Sequence, residues 1–163
     1  MFEYGLDISF HSGELVDTTL VAKHLLSLQR TLVASKEYVD KRGAPTSVSS
    51  LENFETICFR WSNGVVDNTW NIGSTTVTVQ PRLIGDNIEV LKSATLAGRG
   101  MSILPKTSVL EEVKRGKLVE LLCDEQHPID DIWLLYPPRQ NLNVASNALI
   151  DWIIECANQR RQK

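Results

Sequence analysis

A surplus of basic residues is the first thing this 163-residue chain lacks: 17 Lys and Arg stand against 20 Asp and Glu, for a formal net charge of −3. Such a balance supplies no general electrostatic footprint for a nucleic-acid backbone. Nor is there any apolar run near the roughly 18 residues of a membrane helix, and no basic-then-apolar leader opens the chain. The expectation is a soluble, cytoplasmic protein. Cysteine is scarce. Cys58, Cys123 and Cys156 are odd in number and widely spaced, and each sits in an apolar run, which excludes a disulfide framework and predicts buried, reduced thiols.

Catalytic constellations are missing too. His11, His24 and His127 are scattered, with no i,i+4 pair that would set metal ligands on one helix face. There is no Gly-x-Ser-x-Gly elbow and no phosphate-binding loop; Gly98-Arg99-Gly100 lacks a third glycine and follows a helix instead of preceding one. Asp130 and Asp131 are adjacent on an apolar, strand-like run, so their carboxylates point to opposite faces and cannot share acid–base work. The chain reads as a non-enzyme, with no cofactor and no metal site implied.

What is present is organised around Pro81 to Pro105, PRLIGDNIEVLKSATLAGRGMSILP. This stretch reads as strand end, polar loop, helix, glycine turn and buried strand. Asp86 is placed to accept from free N–H groups at the helix start. Ile88, Leu91, Ala94 and Thr95 recur at helical spacing and predict one face laid against a sheet. Gly98 and Gly100 end the helix, and Met101, Ile103 and Leu104 form a strand that Pro105 stops. The unit presents a helix N-terminus beside a polar loop, where a small anion can be held.

The remaining elements follow the chain. Leu6, Ile8 and Phe10 alternate with polar residues as in a strand, and His11, Ser12 and Gly13 make a polar turn. Val16 to Leu25 continues extended. Arg30 to Ala34 is a buried strand, after which the Ser35 hydroxyl caps a short helix, Lys36 to Lys41. Ser49 with Glu52, and Ser108 with Glu111, have capping-box spacing, and Glu111 can pair with Arg115. Between them, Thr56 to Trp61 alternates as a strand, and Gly73-Ser74 joins Trp70–Ile72 to Thr75–Val79 in a hairpin, the whole group read as antiparallel. Leu118 to Leu122 and Ile129 to Tyr136 are further strands. A final helix from about Asn143 carries Val144, Ala148, Leu149, Trp152, Ile153 and Cys156 on one broad apolar stripe that must be buried.

Five motifs in order carry a resemblance over nearly the whole chain. Asp7-Ile8-Ser9-Phe10-His11-Ser12-Gly13, Leu32-Val33-Ala34-Ser35-Lys36-Glu37-Tyr38, Gly43-Ala44-Pro45, Ala97 to Pro105, and Arg115-Gly116-Lys117-Leu118-Val119 with Ile132 to Arg139 are arranged as in the effector-binding region of LysR-type transcriptional regulators. The sequence resembles that bacterial family's regulatory domain. The resemblance implies an α/β fold of the type II periplasmic-binding-protein kind, two lobes joined by two crossover strands. Residues 1–34 and 132–163 would form a first, incomplete lobe, and 35–131 the second.

The resemblance also implies a small effector, carboxylate-bearing, held by His11, Ser12, Ser35, Ile84, Gly85, Asp86 and Asn87. Asp86 would repel an anion through its side chain, so backbone N–H groups at 86 and 87 are the better donors. Three positions depart from the family pattern: His11 stands where arginine is usual, Lys36 where proline is usual, and Arg99 where a small or apolar residue is common. DNA would be reached only through a winged helix-turn-helix segment that this chain does not contain, and no membrane is involved. The open strand edge and the apolar stripe predict a homodimer or higher homo-oligomer. The alternative reading is a free-standing small-molecule-binding or protein-interaction module derived from such a regulator.

Overall fold

The computed structural model describes residues 6–12, 15 and 19–161, with the side chains of 160 and 161 left aside. It divides into two compact units, Met1–Leu28 with Ile129–Lys163, and Gln29–Pro128. The boundaries expected from sequence stood at Ala34/Ser35 and Asp131/Ile132. In the structure the chain passes from one unit to the other inside a single long strand and returns between Pro128 and Ile129.

In the larger unit, strand β2 (Val21–Ser35) contributes its second half. It pairs antiparallel with β7 (Met101–Pro105), in the register Arg30↔Pro105 to Val33↔Ser102, and with β8 (Leu118–Leu121), Ser35 facing Leu118. β3 (Thr56–Phe59) lies parallel to both β7 and β6 (Pro81–Gly85). The antiparallel reading holds for the hairpin β4 (Thr69–Ile72) and β5 (Thr75–Thr78) but fails for β3. Alternation cannot tell the two cases apart, because β3 is buried on both faces, with Ile57 and Cys58 each sealed from solvent.

Both faces are filled by side chains taken from alternate strand positions. Leu32, Ala34, Cys58, Met101 and Ile103 pack beneath helix α1 (Lys36–Arg42), a 3-10 turn at Ser49–Asn53 and the β4–β5 hairpin, with Tyr38, Leu51, Trp70 and Ile72 in the same cluster. Val33, Ile57 and Leu104 point the other way, against Leu91 of helix α2 (Ile88–Leu96) and Val109 of helix α3 (Lys106–Lys114). The expected α2 face is the one used: Leu91 and Thr95 are buried, and Ile88 and Ala94 pack beside them.

Three helix starts differ from expectation, each for a local reason. The cap of α2 is Asn87, one residue after Asp86; its side chain accepts from the Glu89 and Val90 amides at 2.9 and 3.3 Å. α3 begins at Lys106, directly after Pro105, so Ser108 lies inside the first turn and its hydroxyl donates to the Pro105 carbonyl at 2.7 Å. Ser49 opens only the 3-10 turn, without a side-chain cap. Glu111 pairs with Lys114 at 3.2 Å, not with Arg115. Ser35 does cap α1, accepting from the Tyr38 amide at 3.1 Å.

In the smaller unit, β1 (Ser9–Ser12) runs antiparallel to β9 (Ile129–Tyr136), with Ser9 opposite Leu135 and Ser12 opposite Ile132; β9 also lies beside β2. His11 and Ser12 therefore belong to a strand and not to a turn; Gly13 and Val16 to Thr18 lie outside the described residues. Helix α4 (Val144–Arg161) is preceded by Asn143, whose side chain accepts from the Ser146 amide at 2.8 Å. Its buried stripe is not the expected one. Ile150 and Ala157 are buried against Leu25, Leu134 and Tyr136, whereas Val144 and Trp152 are 87 % and 62 % exposed.

The thiols also divide differently. Cys58 is buried, Cys156 half-buried and Cys123 exposed, the last following Leu122, which takes a positive φ of 51°. Burial, and next the nearby Asp67 charge, push the Cys58 thiol up from its usual 9.0 to about 12, against smaller opposing effects of Thr56 and Arg30. The unfolded chain releases that proton first, so this contribution to stability is complete below pH 9 and is lost as pH rises toward 12. The loss is about 1.4 kcal/mol per pH unit at most. Chemical denaturation between pH 9 and 10.5 should show a flatter decline in Cys58→Ala than in the parent chain; parallel curves would contradict it.

Gly100 has a requirement of a different kind. Its φ is +151°, and a Cβ there would stand 2.6 Å from the Glu55 carbonyl oxygen, the same oxygen that accepts the Met101 amide at 2.8 Å. That close backbone approach starts the β3–β7 pairing. Gly100→Ala is expected to cost about 2–3 kcal/mol in urea denaturation, from overpacking against backbone that cannot yield.

Candidate functional site

Three strands of the larger unit, β3, β6 and β7, run in one direction, so their carboxyl ends, Phe59, Gly85 and Pro105, lie at one end of the sheet together with Arg30 of β2. In open α/β sheets that end is where ligands are held, because the loops leading into helices start there. The Gly85 carbonyl accepts the Arg60 amide at 2.8 Å, which fixes the bend at Asp86 against the loop after β3. From this bend α2 departs. Asn87 occupies the Glu89 and Val90 amides, and its cap leaves the Ile88 amide at the positive end of the helix. Asp86 and Asn87 are exposed, and Ile84 is exposed just before them.

The walls around this end are partly aromatic and partly ionic. Phe59 and Trp61 meet edge to face with ring centres 4.9 Å apart. Arg30 donates to Asp67 at 2.6 Å, both side chains being largely shielded, and also approaches the Ile103 carbonyl at 3.4 Å. A pair at that distance and burial is a positional clamp: removing one partner would strand the other. Arg30 was legible only as part of a strand, and Asp67 lies in a loop with no motif, so the pair had no signal in the sequence.

The smaller unit brings together another polar set beside β1. His11 lies opposite Trp133 and Ser12 opposite Ile132. Next to them, the His24 Nε2 lies 3.0 Å from Asp131 Oδ1, Ser27 Oγ donates to the same oxygen at 2.6 Å, and the His24 ring meets Trp133 edge-on at 5.0 Å. The Ser27 and His24 bonds, in that order, hold the Asp131 carboxyl below its ordinary value. These three residue types suggest a nucleophile relay, but the geometry is wrong for one. Serine and aspartate both approach Nε2, and the serine proton points to the carboxylate, so the histidine has no separate base face toward the hydroxyl. Strand alternation would put His24 and Ser27, three residues apart on β2, on opposite faces, so their meeting at Asp131 had no signal in the sequence.

Among the expected site residues, the structure groups Ile84, Gly85, Asp86 and Asn87 in the larger unit, and His11 with Ser12 in the smaller. Ser35 lies apart from the Ile84 to Asn87 group. It sits at the other end of the β2 segment, facing Leu118, while Gly85 faces Phe59 three strands away across the sheet. Its hydroxyl is buried and already bound to the Tyr38 amide. A cap needs that hydroxyl more than a ligand could use it. No cluster of three metal-ligating side chains exists among the described residues, and no described helix is long and apolar enough to cross a membrane.

Comparisons with known proteins agree with this architecture. The chain is 28 % identical over 162 residues to the HTH-type transcriptional regulator CrgA of Neisseria meningitidis serogroup C, and 29 % identical over 161 residues to the HTH-type transcriptional repressor PA14_22550 of Pseudomonas aeruginosa. Each alignment covers 95 % of this chain, which spans about half the length of either relative (52 % and 50 %). The solved regulatory domain of CrgA superposes with a TM-score of 0.79 at 27 % identity, covering 94 % of this chain and 76 % of that one. The fold is that of LysR regulatory domains, a periplasmic-binding-protein-like α/β arrangement. The family described as the LysR substrate binding domain matches residues 1–157, and this chain belongs to it.

Proposed function

We propose that this chain is the effector-sensing and oligomerising part of a LysR-type transcriptional regulator, and that its effector is a small carboxylate. The observation that carries the reading is the bend Gly85-Asp86-Asn87 at the carboxyl ends of parallel strands, feeding the positive end of α2. Backbone N–H groups there suit a carboxylate, and the Phe59–Trp61 pair supplies an apolar wall. The relatives named as regulators extend beyond the matched region, so control of transcription is exercised by the longer protein. Sensing works by shifting populations between arrangements that bind the effector unequally.

Thermal-shift screening with aromatic acids, amino acids and small carboxylates tests this. One class should raise stability by about 2.7 kcal/mol at a hundredfold excess over its dissociation constant. Asp86→Asn removes a charge facing the bound anion; at a separation of roughly 6 Å in water that is about 0.7 kcal/mol, near a threefold gain in affinity. A full screen without stabilisation, or affinity unchanged in Asp86→Asn, would contradict the proposed anion position.

Assembly is read from the smaller unit. Phe10 and Trp152, each 62 % exposed, flank an apolar groove of about 520 Å³ floored by Leu25, Leu26, Ile153 and Ala157. β1 ends the strand order beside it. A strand that ends the order among the described residues, next to an apolar groove, favours a second copy. Sedimentation equilibrium at micromolar concentration should give twice the 18.3 kDa chain mass, and Trp152→Glu should return it to monomer. A monomer in the parent chain would refute this.

A further inference from the structure

The larger unit has a second hollow, of about 410 Å³, at the opposite end of its sheet from Gly85. Its position follows from the register. Thr56 faces both Pro81 and Met101, so Glu55 just before β3, Arg82 at the start of β6 and Arg99 just before β7 converge at the amino ends of the strands. α1 closes the hollow with Glu37, Tyr38, Lys41 and Arg42.

Glu55 organises it. The buried Tyr38 hydroxyl donates to Glu55 Oε2 and accepts the Glu55 amide at 3.1 Å, so the carboxylate is fixed from two sides. Its other oxygen takes Arg42 at 2.9 Å and lies 3.8 Å from Arg82. The Tyr38 bond comes first in holding this carboxyl below its ordinary value. Glu55 thus brackets two guanidinium groups side by side.

The charges do not cancel. Lys41 is satisfied by Glu37 at 2.5 Å, and Glu55 by Arg42, which leaves two positive charges in excess, on Arg82 and Arg99. The Arg99 side chain has no hydrogen-bond or carboxylate partner among the described residues. Cations in the last turn of α1 and just past α2 are favoured by the helix dipoles, which accounts for their tolerance there. Dipoles do not account for a buried tyrosine and a fixed carboxylate that hold Arg42 and draw Arg82 toward a hollow that Arg99 also lines.

We propose that this hollow binds a compact dianion, a phosphate group or a small dicarboxylate, at a site separate from the bend at Gly85–Asn87. Planar guanidinium forks match both anions through paired N–H donors, and the volume lies in the range of small-ligand pockets. A bound dianion bridges Arg82 and Arg99 and ties the start of β6 to the turn after α2. It does not depend on the effector reading, because its residues share none with that site.

The test is a titration of the ¹⁵N-labelled chain with inorganic phosphate, pyrophosphate and malonate at constant ionic strength, chloride being the control. Amide shifts should gather at residues 37–42, 55, 82 and 97–100, and binding should weaken at least tenfold in Arg82→Ala/Arg99→Ala. Both side chains are exposed, so that variant should fold; Arg99→Glu alone is the second check and should also weaken binding. Tighter phosphate than malonate identifies a phosphate ligand, and the reverse a dicarboxylate. Equal shifts with chloride, shifts centred on 85–90, or parent-like binding in the variants would overturn the proposal.

Discussion

From Thr31 to Ser35 every side chain of β2 is buried, whereas from Val21 to Arg30 only Leu25 is. One strand therefore lives in two environments: covered on both faces in the larger unit and on one in the smaller. Each neighbour is set by which half it pairs with. β7 and β8 take the doubly buried half, which demands apolar residues at consecutive positions, and β9 lies beside the strand in the smaller unit. The chain's return is pinned at the change of environment. The Arg30 amide donates to the Pro128 carbonyl at 2.9 Å, the polar group that a proline can still offer to a strand.

Function follows from the direction imposed on the strands. Because β3, β6 and β7 are parallel, one end of the sheet holds the connections from β6 into α2 and from β7 into α3, and the other holds the turn by which α2 returns to β7. The first end holds the Gly85–Asn87 bend and the Arg30–Asp67 clamp. The second holds the Glu55-centred group of arginines. Helix α2 runs between them, its capped start at one and Arg99 just beyond its finish at the other.

Much of this was legible in the residues. The glycine-bounded helix between two strands, the Gly73-Ser74 hairpin, the Ser35 cap and the doubly buried run Leu32-Val33-Ala34 follow from local chemistry that tertiary contacts did not override. What failed was set at a distance. The direction of β3 depends on which strands flank it, and burial on both faces erases the alternation that would report it. The α4 stripe was misread because Val144, Leu149 and Trp152 satisfy a helical period without packing on β2, while Ile150 and Ala157 do. The motif position of Ser35 is legible in the sequence, but its separation from Gly85 at the far end of the sheet is set by register alone.

The proposed function requires a carboxylate seated at the start of α2. Hydrogen–deuterium exchange of the chain, with and without whichever carboxylate stabilises it, tests this most directly. Slowed exchange is expected of the amides from Gly85 to Leu91, with the interior of β7 unchanged. Protection confined to the Tyr38–Arg42 and Ala97–Arg99 segments, with Gly85 to Leu91 exchanging as before, would contradict it.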